Sequence, residues 1–239
     1  MKPRFSEWLP KTRPWSVSVE PRRAGAAMAL ILAVTVGAKL LPDTFSAAGR
    51  LFGVAALELT GSLAALFLVH SATRGGMRGI LGAERLKRRD FVTIAVAPLL
   101  IWCGNSAAGM AWGRLLRLLR IPYEEFQPLL MVIREFDSAD FLLVLLAVGV
   151  MTPAAEEFFF RRLLYGVLEP LGARRAALAT AALFAAAHGF LFGLPGLFWM
   201  GVVFQSVYGR CRNLGAPILV HAIVNCVALL GARGGFLAR

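Results

Sequence analysis

Long apolar runs separated by charged loops are the feature that most limits how this chain can fold. A transmembrane helix needs about 17–25 predominantly apolar residues. Because lipid offers no hydrogen bonds to an exposed backbone, such runs are expected to be α-helical. We therefore predict an all-α, polytopic transmembrane helical bundle of seven spans, or of eight if part of 113–134 also enters the membrane. The predicted spans cover residues 24–41, 51–72, 91–112, 141–165, 176–192, 194–208 and 214–230.

The composition agrees with a membrane protein rather than a soluble one. Hydrophobic residues make up 58% of the 239 positions, and the mean hydropathy is +0.66. Soluble domains are about 45–50% apolar. A soluble fold of this length could not bury so much apolar surface, so we expect an integral membrane protein.

The net charge of +12 is concentrated in the loops and predicts the orientation. With seven spans, the basic segments 1–23, 74–89, 161–175 and 210–212 lie on one side, and the acidic segment 121–140 lies on the other. The positive-inside rule then places the N-terminus in the cytoplasm. The short, alanine- and arginine-rich chain suggests a bacterial cytoplasmic (inner) membrane. Membrane lipids are predicted partners, whereas nucleic acid is not, since no nucleic-acid-binding motif is present.

Three regions follow from this pattern. Residues 1–23 are predicted to be a cytoplasmic or interfacial N-terminal segment, and residues 24–140 to be accessory transmembrane spans. Arginines recur every third residue near 113–121 with leucines between them, which predicts an interfacial helix. The polar residues that could take part in catalysis are concentrated in 141–232, which is the predicted catalytic core.

The first polar motif is the pair Glu156-Glu157, followed by Arg161. On a helix, Glu157 and Arg161 are four residues apart, and the acid-before-base order favours a salt bridge between them. Glu156 points about 100° away around the helix. Its carboxylate is therefore left to act as a base. The alternative is a helix end at the cytoplasmic interface, where the charged side chains only extend towards water.

Two further motifs place histidines in separate apolar spans. Phe184 precedes three alanines and His188, and His221 precedes Asn225 by four residues. Ionisable and polar side chains inside a membrane are costly, and they mark function by default. The simplest arrangement that satisfies these groups gathers them around Glu156 and a water molecule. A hydrogen bond to a neighbouring helix is the alternative for each histidine taken alone.

These three motifs together resemble the CPBP family, the CAAX-processing and bacteriocin-processing intramembrane proteases, also called the Abi family. The resemblance lies in Glu-Glu-x-x-x-Arg, Phe-x-x-x-His and His-x-x-x-Asn, which occur in this order in separate apolar segments. It implies an endopeptidase that cleaves a membrane-associated protein or peptide, with or without a lipid modification. A proton-coupled transporter and a non-catalytic bacteriocin-immunity or scaffold protein are the alternative functions.

The resemblance also implies roles for individual residues. Glu156 would activate water, and His188 would help to hold and polarise that water. His221 and Asn225 would donate hydrogen bonds to the oxyanion of the tetrahedral intermediate. Arg161 would orient Glu157, and Glu157 could share the base role.

A cofactor is not required by this scheme. Zinc is the alternative, with Glu156, His188 and His221 as its ligands, because imidazole and carboxylate groups bind zinc in proteins. The sequence has no His-Glu-x-x-His pair, and its two candidate histidines lie on different spans. We therefore predict a glutamate-type rather than a metal-dependent mechanism. Glu58, within the second predicted span, is expected to make a packing hydrogen bond; pairing with a basic residue of a neighbouring span or lining the active cavity are the alternatives.

Overall fold

The described part of the chain is entirely helical. The computed structural model describes residues 21–38, 46–70 and 85–235, and no strand occurs among them. Most of the predicted N-terminal segment and of the basic loop at 74–89 therefore lies outside the described residues. The helices of the described ranges are α1 Pro21–Ala38, α2 Ala47–His70, α3 Arg88–Leu118, α4 Pro128–Val132, α5 Ser138–Leu171, α6 Ala173–Ala187, α7 Leu194–Cys211 and α8 Gly215–Arg233.

Four helices of the described ranges are long and apolar enough to cross a membrane. They are α3, α5, α8 and the segment Ala47–Leu68 of α2. The prediction of an all-α membrane bundle agrees with this result. The number of spans, seven or eight, and the cytoplasmic position of the N-terminus stay predictions.

The third predicted span continues further than the sequence suggested. Helix α3 begins where the Asp90 carboxylate accepts a hydrogen bond from the backbone N–H of Lys87 at 2.7 Å, which satisfies a donor of the first turn. It ends at Leu118, so the first half of the predicted interfacial helix near 113–121 extends α3 without a break. The chain then leaves the helix at Arg120, which has φ +54°.

Helix α5 carries the glutamate pair and contains two π-helical stretches. These are Ala147–Met151 and Phe158–Leu164, and they flank the α-helical turn Thr152–Glu157. A π-helical turn accommodates one residue more than an α-helical turn and is frequent at functional sites. The two glutamates therefore lie between two places where the helix is locally widened.

Helix α7 lies at the centre of the bundle, where small residues allow close packing. All five residues from Gly201 to Gln205 are buried. A Cβ atom at Gly201 would lie 2.9 Å from the backbone of Ala181 in α6, and one at Gly104 of α3 would lie 2.0 Å from the indole of Trp199. Small residues at helix contacts are the usual route to tight packing in membranes. This packing places α7 directly behind the polar groups of α5 and α8.

Candidate active site

A buried ion pair on α5 is the first component of the site. Arg161 donates from Nε to Glu157 Oε2 at 2.8 Å and from Nη2 to Glu157 Oε1 at 3.4 Å. Both side chains are completely buried. The salt bridge expected from the i,i+4 spacing is therefore present, and the guanidinium compensates the charge of Glu157.

His221 of α8 lies between the two glutamates of α5. Its Nδ1 is 3.1 Å from Glu157 Oε1, and its Nε2 is 3.7 Å from Glu156 Oε2. The imidazole is almost completely buried, with 2% of its surface exposed. One ring thus contacts both carboxylates and joins two helices through polar groups.

The ion pair determines which histidine nitrogen carries a proton. Because Glu157 is held as a carboxylate by Arg161, it accepts a hydrogen bond from His221 and does not donate one. The Nδ1–H of His221 therefore points at Glu157, an assignment that follows from the hydrogen-bond network. Nε2 is left to face Glu156.

Glu156 is the member of this group whose side chain is partly exposed. Its side chain is 24% exposed, whereas those of Glu157, Arg161 and His221 are at most 2% exposed. Glu58 of α2 is close enough for its charge to act on Glu156. The partly exposed carboxylate is therefore the group of the pair that can meet a water molecule or a substrate.

Aromatic rings enclose the buried charges. The Arg161 guanidinium carbon lies 5.1 Å from the centre of the Phe184 ring and 5.5 Å from that of Phe204. Phe204 stacks on His221 with a centroid distance of 4.5 Å and an interplanar angle of 25°. These faces exclude water and attract the cation. Phe184 was predicted from its motif, whereas Phe204 lies outside every motif and carried no signal in the sequence.

His188 approaches the site from the end of α6. Its Nδ1–H donates to the carbonyl of Phe184 at 2.8 Å, and its ring lies 4.7 Å from that of Phe184. The helix ends here because Gly189 adopts φ +60°, a conformation that favours glycine. His188 thus occupies a helix terminus and is half-buried. Its Nε2 is left as an acceptor, and its ring is separated from His221 by that of Phe184.

Asn225 is anchored by the widened part of α5. Its side-chain amide donates to the carbonyl of Val148 at 2.9 Å, within the first π-helical stretch. One residue away, Gly149 packs so closely on α8 that a Cβ atom there would lie 2.7 Å from the sulfur of Cys226. The loosened helix therefore supplies both an acceptor for Asn225 and the space that lets α8 approach. This carbonyl was not predicted as the partner of Asn225.

The described residues do not form a metal site. No group of three or more His, Cys, Asp or Glu side chains in those ranges is arranged to hold a metal ion. The set of Glu156, His188 and His221, which is the alternative zinc site predicted from the sequence, is not among such groups.

The fold and the site together define an integral membrane protein with a buried acid–base centre. Residues 138–227 match the family described as type II CAAX prenyl endopeptidase Rce1-like. The chain is also similar to the membrane-embedded CAAX protease MroQ of Staphylococcus aureus (strain USA300), with 31% identity over 85 residues. That match covers 33% of this chain, and the chain spans about a third, 34%, of the relative's length. No solved structure gives a significant match.

Both similarities point to the same family. Residues 138–227 are similar to the CPBP, or CAAX protease, family. The matched segment contains the glutamate pair, both candidate histidines and Asn225. It begins at the first residue of α5 and ends within α8, so it coincides with the helices that form the site.

Proposed function

We propose that this protein is an intramembrane endopeptidase that hydrolyses a peptide bond of a membrane-associated protein or peptide. The observation that carries the proposal is the series Arg161–Glu157–His221–Glu156, in which only the last group is exposed. The family of residues 138–227 supports an endopeptidase. It gives no support to the alternatives of a transporter or of an immunity or scaffold protein.

In the proposed mechanism, Glu156 activates the water. Its carboxylate takes a proton from a water molecule on its exposed side, and the oxygen attacks the carbonyl carbon of the scissile bond. The proton then passes from Glu156 to the nitrogen of the leaving amine as the C–N bond breaks. His188 helps to hold the water through Nε2, which is available because Nδ1–H is bound to the Phe184 carbonyl.

The negative oxygen of the tetrahedral intermediate needs donors, and His221 and Asn225 are proposed for this role. The imidazole can carry a second proton on Nε2 because carboxylates flank it at 3.1 and 3.7 Å. One amide hydrogen of Asn225 is bound by Val148, which fixes the side chain and directs the other hydrogen elsewhere. Such preorganised donors stabilise a developing oxyanion strongly in a site that excludes water.

The proposed substrate is a protein or peptide that is itself held by the membrane, with or without a lipid modification. This agrees with the family of the C-terminal segment and with the position of the site within candidate spans. The bacterial cytoplasmic membrane is the proposed location. The glutamates lie close to the basic residues after Phe160, which the positive-inside rule places near the cytoplasm.

The proposal is tested by comparing Glu156→Gln with Glu135→Gln in cells that express the full chain. Glu135 is an exposed carboxylate outside the site, so its change controls for charge and expression. The measurement is a survey of new protein termini in the membrane fraction. We expect termini that are present in wild type and in Glu135→Gln and absent in Glu156→Gln. An unchanged set of termini in Glu156→Gln would refute the proposal.

Metal dependence is tested on the purified protein. We expect cleavage of a substrate found in that survey to persist after dialysis against a chelator, and the preparation to contain zinc well below one equivalent. Loss of activity in chelator that returns on addition of zinc would overturn the glutamate-type mechanism.

A further inference from the structure

A basic cavity lies between the start of α3 and the end of α7, away from the glutamates. Its volume is about 320 Å³. The charged side chains that line it are Arg85, Lys87, Arg89, Asp90, Arg210 and Arg212. Drug-sized ligand pockets are about 300–1,000 Å³, so this cavity suits a small polar group rather than a folded segment of polypeptide.

Among the described residues that line the cavity, five are cationic and one is a carboxylate. Asp90 is buried, and its Oδ2 accepts the backbone N–H of Lys87 at 2.7 Å. Its Oδ1 lies 3.9 Å from Nε of Arg89. Five cationic side chains therefore share one concave surface with one carboxylate that already caps a helix. Repulsion among the five is relieved when an anion binds among them.

Phosphate is the anion that this set of side chains fits best. Four of the five cations are arginines, whose planar forks bind phosphate oxygens in pairs, and the fifth is a lysine. A carboxylate offers only two oxygens to the same five cations.

The position of the cavity indicates where the phosphate comes from. The two segments that line it belong to the basic regions 74–89 and 210–212, which the positive-inside rule places on the cytoplasmic side. Anionic phospholipids attract basic groups at that surface. We propose that this cavity binds the phosphate of an anionic phospholipid headgroup and so holds one lipid against α3 and α7.

The test measures binding to the purified full-length protein and does not depend on peptidase activity. The protein is placed in nanodiscs of neutral phosphatidylcholine and titrated with short-chain phosphatidylglycerol, or with inorganic phosphate in a separate experiment. Native mass spectrometry counts bound lipid. The variant Arg85→Gln/Arg210→Gln removes two cations from the cavity. The control Arg174→Gln/Arg175→Gln removes two exposed arginines on the same predicted side.

We expect saturable binding of one phosphatidylglycerol, weakened at least about tenfold in the cavity variant and less than about twofold in the control. If inorganic phosphate saturates the cavity and its binding is weakened equally by Arg85→Gln/Arg210→Gln, the cavity is a phosphate site. The claim that the phosphate belongs to a lipid headgroup would then be overturned. Equal loss in both variants, or no saturable binding of either probe, would overturn the proposal. If the double variant does not fold, Arg89→Gln alone carries the same comparison with Arg175→Gln.

Discussion

Replacing Arg161 by methionine tests the central claim that Glu157 is a compensated buried carboxylate. The guanidinium is completely buried and makes two contacts with Glu157, at 2.8 and 3.4 Å. Removing one partner of a buried ion pair costs about 3–5 kcal/mol, because the other charge is left without compensation. That loss is a large part of the typical free energy of unfolding, about 5–15 kcal/mol. We therefore expect Arg161→Met to be severely destabilised.

A second substitution separates charge from packing. In Arg161→Met/Glu157→Gln, the uncompensated charge is gone and the amide oxygen can still accept the Nδ1–H of His221. Replacing both members of a buried pair by groups of similar volume is often close to neutral. We expect the double variant to recover most of the stability, to within about 1.5 kcal/mol of wild type. Its peptidase activity should stay low, because the closer of the two carboxylates that flank His221 is then absent and only Glu156, at 3.7 Å, is left to stabilise the protonated imidazole.

The measurement is reversible unfolding in mixed micelles by a denaturing detergent, followed by tryptophan fluorescence. The single change Glu157→Gln completes the double-mutant cycle. A loss below about 1 kcal/mol in Arg161→Met, or a double variant no more stable than that single one, would refute the argument. Recovery of full activity in the double variant would refute the role given to the charge of Glu157.

Two further predictions concern glycines at helix contacts. Gly104→Ala should destabilise the fold by about 1–3 kcal/mol, because the new Cβ would lie 2.0 Å from Trp199. Gly109→Ala on the same helix is the matched control and should stay within about 0.5 kcal/mol, since its Cβ would meet a phenyl carbon at 3.7 Å. Both are measured by the same unfolding assay, and equal losses would contradict the packing argument. Gly149→Ala should lower activity by displacing α8 through Cys226, and the added change Cys226→Ala should restore it. If a cleavage assay finds no rescue, the loss of activity in Gly149→Ala does not arise from the contact with Cys226.

Periodicity and charge order were sufficient to predict the all-helical class of the fold and the ion pair. Glu157 and Arg161 are neighbours on one helix, so their contact depends on local geometry alone. A membrane histidine must also find a polar partner, which led to the expectation that His221 lies near a glutamate. Which carboxylate meets which nitrogen depends on how α8 is rotated against α5. Packing sets that rotation, and the sequence does not contain it as a pattern.

Other features were less accessible to sequence-based reasoning. The glycine after His188 is the residue type expected just beyond a helix end, and it could have indicated that α6 ends at this histidine. The π-helical stretches of α5 were not predicted from the sequence, although the first contains Gly149 and is followed by Pro153, neither of which favours a regular α-helix. The partner of Asn225 and the ring stacked on His221 come from helices brought together only by the fold.

Because α5 contains two π-helical stretches, the number of residues in this helix is itself important for the site. Each stretch holds a residue that a regular α-helix of the same rise would not need. Deleting one residue from Ala147–Met151 would restore regular winding and remove the local widening, while the parts of the helix on either side keep about their present rotation, because a π-helical turn holds only one residue more than an α-helical turn. The Val148 carbonyl would then lose the position in which it accepts the Asn225 amide, although no side chain of the site had been altered. We expect one-residue deletions here to be more damaging than most substitutions, while the loops between helices accept changes in length.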